Sequence, residues 1–304
     1  MELKFKNLIE LHNYFSTENK CWNYLENFRW NGHVICPFCN SDKHYKFKNS
    51  RTYKCKLCNK KFNAKIGTIF ENTKIPLQKW FVAIYIATSH KKGISSCQLS
   101  KDISVTQKTA WFILHRIREM LKVKAPKMLS GMVEVDETYN GGKEGNKHKS
   151  QRKNINGYVN KTMVFAMLSR ENGVWTKIVP DVDGTTLRPL IVHKVGKETT
   201  IVSDGFGAYS KLKKQYHHEV INHAQDEWVR GEYHTNTIEG FFSQLKRGIY
   251  GIYHHVSPKH LHRYCKEFEY RYNTRKSKET ERFNHSLSIC NKRLKYKDLI
   301  RKVG

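Results

Sequence analysis

Acidic residues are scarce in this chain, and where they gather they mark the ends of strand-like stretches. Lys and Arg number 55 against 27 Asp and Glu, yet Glu134, Asp136 and Glu137 crowd together in GMVEVDETYN. Val133 and Val135 alternate with Glu134 and Asp136, which predicts a strand with one apolar and one acidic face. The stretch TTIVSDGFGAY repeats the device, with Val202, then Asp204, then a glycine. Glu239 lies in HTNTIEGFFSQLKRG, whose pattern predicts a helix. A single Asp at a strand end more often serves a turn. Three acids on two strand ends and a helix, in a chain otherwise basic, point instead to carboxylates that hold Mg²⁺ against phosphate. Glu134 shares the Asp136 face and is expected to support the site, whereas Glu137 should point away.

A second set of residues offers different chemistry. Cys36, Cys39, Cys55 and Cys58 form C-x2-C-x15-C-x2-C, the spacing of a zinc ribbon. Each pair presents two thiolates, and two pairs complete a tetrahedral site with no open position, so the Zn²⁺ is expected to be structural. His33 and His44 are then not needed as ligands. Cys21, Cys97, Cys265 and Cys290 are scattered and read as reduced thiols.

The formal net charge of +28 over 304 residues makes nucleic acid the leading partner class. The length allows about two or three domains. Hydrophobic residues make up 38%, with no apolar run near the ~20 residues of a membrane helix. MELKFKNLIELHNYF carries acids and no long apolar stretch, so a signal peptide is not expected and a cytoplasmic location is.

The elements that must position these residues can be read in order. Residues 5–30 predict two short aromatic-rich helices, and the basic ribbon follows. Residues 74–122 predict helices: Pro76 in a first turn, a stripe of Trp80, Phe81, Ile84, Tyr85 and Ala87, a short helix Ser96–Asp102, a turn, and a longer helix Thr106–Met120. Short helix, turn and longer helix is the shape of a helix-turn-helix, with Ala110, Ile113, Leu114 and Ile117 facing inward. Ala125–Ser130 reads as a linker and Gly141–Asn156 as a polar, basic loop near substrate. Strands are expected at Met163–Ser169, Val174–Val179, Thr200–Ser203 and Glu219–Asn222, and helices at Thr185–Val195, Ala208–Tyr216, Asn236–Gly248 and Pro258–Thr274. That order is the one of a ribonuclease-H-like α/β fold, whose mixed sheet would set the first and fourth strands side by side and bring Asp136 to Asp204. The expected division is N-terminal helices over 1–35, zinc ribbon over 36–70, helix-turn-helix over 71–124, catalytic domain over 130–275 and a weakly patterned basic tail over 276–304.

With these blocks in place, the chain resembles the DDE-type insertion-sequence transposases with an N-terminal zinc ribbon, the ISXO-like group. The resemblance runs through CPFC and CKLC, KKFNAKIGTIFENTKIPLQKW, VTQKTAWFILHRIREM, VEVDETYNGG, IVSDGFGAY, HTNTIEGFFSQLKRGIYGIYHHVSPKHLHRY and EFEYRYNTR. It implies magnesium dependence, with two Mg²⁺ ions or Mn²⁺ in their place, binding of terminal inverted repeats in double-stranded DNA, and strand transfer into target DNA by a homo-oligomer in the bacterial cytoplasm and nucleoid. By motif, Asp136 and Asp204 are the first two acids. The third position in this group is an acid or an asparagine, and both Glu239 and Asn236 are available. Glu239 is favoured because a carboxylate neutralises Mg²⁺ better than an amide, with Asn236 in support. Lys246, seven residues on and about two turns along the same face, matches the basic residue that follows the third acid.

Two rival readings remain. A tyrosine recombinase would use Tyr296 with His260 and Arg263, need no metal, and leave the acids unexplained. A zinc-ribbon and helix-turn-helix regulator would bind DNA without cutting it. His254 and His255, beside the Glu239 helix, receive no role.

Overall fold

The computed structural model describes residues 5–48, 50–122, 128–142, 148–151, 161–291 and 293–301. Residues 143–147 and 152–156 of the expected basic loop, and 125–127 of the expected linker, lie outside the described residues. The chain divides into two compact units, one of residues 1–123 with 276–304, the other of residues 124–275. Among the described residues no helix is long and apolar enough to cross a membrane.

The first unit opens with α1, Leu8–Tyr14, and α2, Glu18–Trp30. Asn7 and Thr17 supply the side-chain oxygens that cap them, accepting from the N–H groups of Glu10 and Lys20. A three-stranded antiparallel sheet follows: β1, His44–Lys46, β2, Tyr53–Cys55, and β3, Lys61–Phe62. Its inner face is aromatic, with Trp30 edge-on to both Tyr53 and Phe62. Three helices come next: α3, Leu77–Ser89, α4, Ser96–Asp102, and α5, Gln107–Met120. Pro76 occupies the N-cap of α3 rather than its first turn and makes no cap bond with its side chain. The carboxylate of Glu18 takes over that task, accepting from the N–H groups of Leu77 (3.0 Å) and Gln78 (3.2 Å), where an anion also meets the positive end of the helix dipole. Ser95 and Thr106 cap α4 and α5. Between them Ser104 takes φ +49° to make the tight turn, and Ala110, Ile113, Leu114 and Ile117 are buried as their spacing required.

The second unit is built on one sheet. β4 is Met132–Asn140, β5 Thr162–Ser169 and β6 Gly173–Val179. Helix α6, Gly184–Lys194, leads to β7, Thr200–Asp204, and β8, His217–Ile221. The strand order is β6-β5-β4-β7-β8. The first three strands pair antiparallel, and β7 and β8 run parallel to β4. The first and fourth strands are therefore neighbours, as the ribonuclease-H-like order demands. Side-chain alternation splits β5 between two cores. Val164, Ala166 and Leu168 join α7, Asn236–Gly248, and α8, Pro258–Asn273. Phe165 and Met167 join Val133, Val135, Leu187 and Ile191 on the opposite face. The stretch expected as an α-helix over 208–216 is a 3₁₀ helix, Gly207–Lys214. Its buried residues are Tyr209 and Leu212, and three residues per turn sets such an i, i+3 pair on one side. Gly248 is needed where α7 meets α8: a Cβ there would fall 2.0 Å from the Phe268 ring.

The segment from Lys276 belongs to the first unit. It forms α9, Glu279–Ser288, and α10, Tyr296–Ile300. Phe283 packs edge-on against Phe5 and Phe81. Arg116, buried in α5, donates to the carbonyls of Leu294, Ile69 and Glu71. The apolar positions of this tail are few and widely spaced, which hides them among its many cations.

Candidate active site and cysteine centre

The four cysteines close on one another. Their ligand atoms all lie within 4.8 Å, with Sγ–Sγ separations of 3.6 Å for Cys36–Cys58 and 3.5 Å for Cys39–Cys55. Thiolates about 2.3 Å from a tetrahedral Zn²⁺ stand roughly 3.8 Å apart, so the set fits that ion. Each pair sits in a turn that ends on an asparagine in the left-handed region, Asn40 at φ +58° and Asn59 at φ +59°, which asparagine tolerates better than most residues. The backbone N–H groups of Leu57 and Cys58 donate to the Cys55 sulfur. Those asparagines, directly after CPFC and CKLC, were a second signal of the turns that cysteine spacing alone overlooks. His44 turns its Nδ1 to the Asp42 carbonyl (2.6 Å).

The carboxylates are brought together by strand register. Pairing between β4 and β7 sets Glu134 opposite Val202, so Asp136 and Asp204, each two residues further, end level on adjacent parallel strands. The carboxyl ends of parallel strands are where α/β sheets bind ligands. Asp136 is pushed up to about 8 from an ordinary 3.8, by burial first, then by the Glu137 charge, with Asp204 and Glu239 adding to it and the Glu137 N–H (2.7 Å) opposing it. Glu239, one turn into α7, accepts from the Thr235 hydroxyl (2.8 Å) and lies 3.6 Å from His223 Nε2. Asp204 accepts from the Phe206 N–H (3.1 Å). Among the described residues, Asp136, Asp204 and Glu239 do not form a single-ion cage of the kind the cysteines make.

The neighbouring acids have separate partners. Glu137 faces the other side of the sheet and accepts from Tyr209 Oη (2.6 Å). Burial raises its carboxyl, the tyrosine bond opposes that rise, and the Asp204 charge adds to it. Glu134 is fully buried and accepts from the Ile238 N–H at the start of α7 (2.8 Å) and from Arg170 Nε (2.8 Å). Arg170 also donates to the carbonyls of Glu232 and His234. The pair thus fastens both the first turn of α7 and the loop before it to β4. Asn236 is the first residue of α7 and Lys246 lies in its last turn, both exposed.

Sequence reasoning missed His223, Thr235, Tyr209 and Arg170. Thr235 had a signal, since it stands four residues before Glu239 at a helix start. His223 had one only through register: Ile221 pairs with Asp204, which places the residues after it at the same sheet edge. The residues of the recombinase reading are divided between the units. Tyr296 packs edge-on against Phe112 in the first, and His260 and Arg263 lie on α8 of the second.

Comparison with known proteins places these two regions in one family. Residues 128–273 match the ISXO2-like transposase domain, and residues 16–61 match the transposase zinc-ribbon domain. An uncharacterized protein in transposable element ISH50 of Halobacterium salinarum is 30% identical over 273 residues, 84% of this chain and 91% of that one. An uncharacterized transposase-like protein of Haemophilus influenzae is 31% identical over 101 residues, 33% of this chain and 80% of its own. Among solved structures, a pre-cleavage Mos1 transpososome is 10% identical with a TM-score of 0.22, covering 97% of this chain and 100% of that one. A domain match over the carboxylate sheet, another over the cysteine centre, and a relative matched along nine-tenths of itself together show that the chain belongs to the ISXO2-like transposase family.

Proposed function

We propose that this transposase binds the terminal inverted repeats of its element and cuts and joins DNA at Asp136, Asp204 and Glu239. The observation that supports it best is the register that ends Asp136 and Asp204 level on adjacent strands, with the charge of Glu239 reaching Asp136. The donor set fits Mg²⁺ or Mn²⁺. It is all oxygen, it carries three negative charges once Asp136 ionises, in a chain of net +28, and its mutual repulsion is what a divalent cation relieves. Asp136, Asp204 and Glu239 would together hold two such ions, the number the resemblance implies. Bound there, Mg²⁺ would activate the attacking hydroxyl and stabilise the oxygen that leaves phosphorus.

The chain's own residues do the rest. Asp136 gives up its proton as the cations bind. Thr235 and His223 orient the Glu239 carboxylate, and the pair of buried Glu134 with half-buried Arg170 sets how far α7 stands from β4. Lys246 offers a point charge to a phosphate next to the one attacked. Asn236, three residues before Glu239, assists as an amide. We assign residues 130–275 to catalysis, and the ribbon with the α4–α5 pair to the repeats. The outward face of the ribbon sheet carries Tyr45, Lys54 and Lys61, and Thr106 to Thr109 start α5 as a recognition helix starts. Two ends must be joined to one target, so the acting form is at least a dimer on DNA, in the bacterial cytoplasm.

The test is incubation of the purified protein with the DNA flanking its own gene and Mg²⁺. Nicks at the element boundary, absent without the cation and with Asp136→Asn, are expected. Tight binding of those ends with no nick under any divalent cation would make the protein a DNA-binding regulator instead.

A further inference from the structure

The far end of α7 opens into a space that the carboxylate chemistry does not use. After Gly248 the backbone winds into a π-turn, Ile249–Tyr253, and His254 follows at φ +57°. Turns of this kind, and residues held in sparsely populated backbone regions, concentrate at functional sites. Tyr250, His254 and His255 are exposed there, and with Tyr139, Asn140 and Lys161 they line a cavity of about 710 Å³. This is the block GIYGIYHHVSP, to which the proposed chemistry assigns nothing.

Two elements lead from the carboxylates to this cavity. On α7, Glu239, Ser243 and Lys246 follow i, i+4 and i+7, a single stripe beside the buried Ile238, Phe242 and Leu245, and the π-turn that continues the helix carries Tyr250. On β4, Asp136, Thr138 and Asn140 share one face. The helix and strand run side by side in the same sense. Glu134 accepts from the Ile238 N–H at one end, and Asn140 and Tyr250 line the cavity at the other. The helix advances about 18 Å between those points and the strand about 20 Å, so the two paths agree. The cavity therefore lies about 13 Å along β4 from Asp136. At the ~3.4 Å rise of duplex DNA that is about four nucleotides, and fewer where a strand is unstacked.

The lining chooses among forms of DNA. Paired bases turn only their edges outward, and their flat faces are covered by neighbouring pairs. A cavity walled by exposed rings, with an amide at its side and lysines at its wall and on the approach to it, suits a base whose face is free and whose phosphate is close by. We infer that this cavity holds an unpaired nucleotide of the strand whose phosphate is attacked at Asp136. The inference depends on the proposed function for the location of that phosphate, and on the cavity alone for what is held.

The test uses the full chain without divalent cation and two probes: a blunt duplex of the element end, and the same duplex with a single-stranded extension of about four nucleotides carrying 2-aminopurine. The extended probe should bind about tenfold more tightly than the blunt one, with its 2-aminopurine fluorescence quenched by stacking. Tyr250→Ala combined with His255→Ala should remove both the preference and the quenching and leave blunt-duplex affinity unchanged. Tyr250→Phe should keep both. Asp136→Asn should also keep both, so the cavity is judged separately from the cutting reaction, which that variant tests. Equal affinity of the unaltered protein for the two probes, or equal weakening of both by the double variant, would overturn the inference.

Discussion

The two candidate metal centres of this protein are opposites. The cysteine centre is made by one stretch of chain, Cys36 to Cys58, and its surroundings are thin: three short strands and a few aromatic rings. The ion there takes the place of a core. The carboxylate site draws on β4, β7 and α7, and stands on a sheet with an apolar core on each face. That sheet does not need an ion to fold. It folds in spite of the acids, whose crowding and burial push Asp136 up to about 8. One metal should therefore hold a fold together, while the others serve a reaction at some expense to stability.

The largest effect that could break this contrast is at the ribbon. Chelation, or Cys55→Ser, should unfold it, because structural Zn²⁺ contributes about 10–16 kcal/mol in such units. Metal analysis should find zinc in the purified protein and not in the variant, and limited proteolysis should open the ribbon while residues 130–275 resist. Purified protein free of zinc would end the idea.

The carboxylates should respond in the other sense. Asp136→Ala, Asp204→Ala and Glu239→Ala should each lower cleavage by about 10³-fold or more, several kcal/mol of barrier, and leave end binding intact and the fold formed. Asn236→Ala should slow the reaction less. If Glu239→Ala still cuts and Asn236→Ala does not, at equal Mg²⁺, the third ligand is the amide.

Glu134 joins the two behaviours, since it is buried for stability and placed for chemistry. Glu134→Gln or Arg170→Leu should lower the unfolding free energy of the second unit by about 2–3 kcal/mol, less than breaking a fully buried ion pair because Arg170 is half-buried, and should weaken cleavage as α7 loosens. Chemical denaturation followed in parallel with cleavage would show it. A loss of activity with no loss of stability would mean that Glu134 touches the metals itself.

The remaining effect is a pH dependence. Asp136 keeps its proton in the folded state to about 8 and in the unfolded state only to an ordinary 3.8. In cation-free protein the contribution of Asp136 to stability should thus be fully present below about pH 4 and be lost as pH rises through 8. Asp136→Asn should melt with the unaltered protein near pH 4 and several degrees above it at pH 8.5. Added Mg²⁺ should raise the melting point of the unaltered protein at pH 8.5 and that of the variant much less. Parallel melting curves at every pH would refute the burial of that charge.

What the sequence by itself determined is whatever local spacing controls. Two cysteines separated by two residues make a turn on their own, and Val133–Asp136 must alternate faces in any extended chain, so the ribbon and the acidic face of β4 were legible before any packing was known. The boundaries of α7 were legible for the same reason, since Ile238, Phe241, Phe242 and Leu245 declare its buried side. Tertiary structure decided the rest, because contacts between residues remote in the chain leave no period to read. The level placement of Asp136 and Asp204 depends on β7 sliding into one register beside β4. The partner of Glu239, His223, comes from the turn just after β8, a segment with no acid of the set. The return of Phe283 to a cluster of rings from the first residues of the chain could not be seen in a tail that spacing describes only as basic. In each case the free energy lies in burying surface between elements, and that depends on which elements meet.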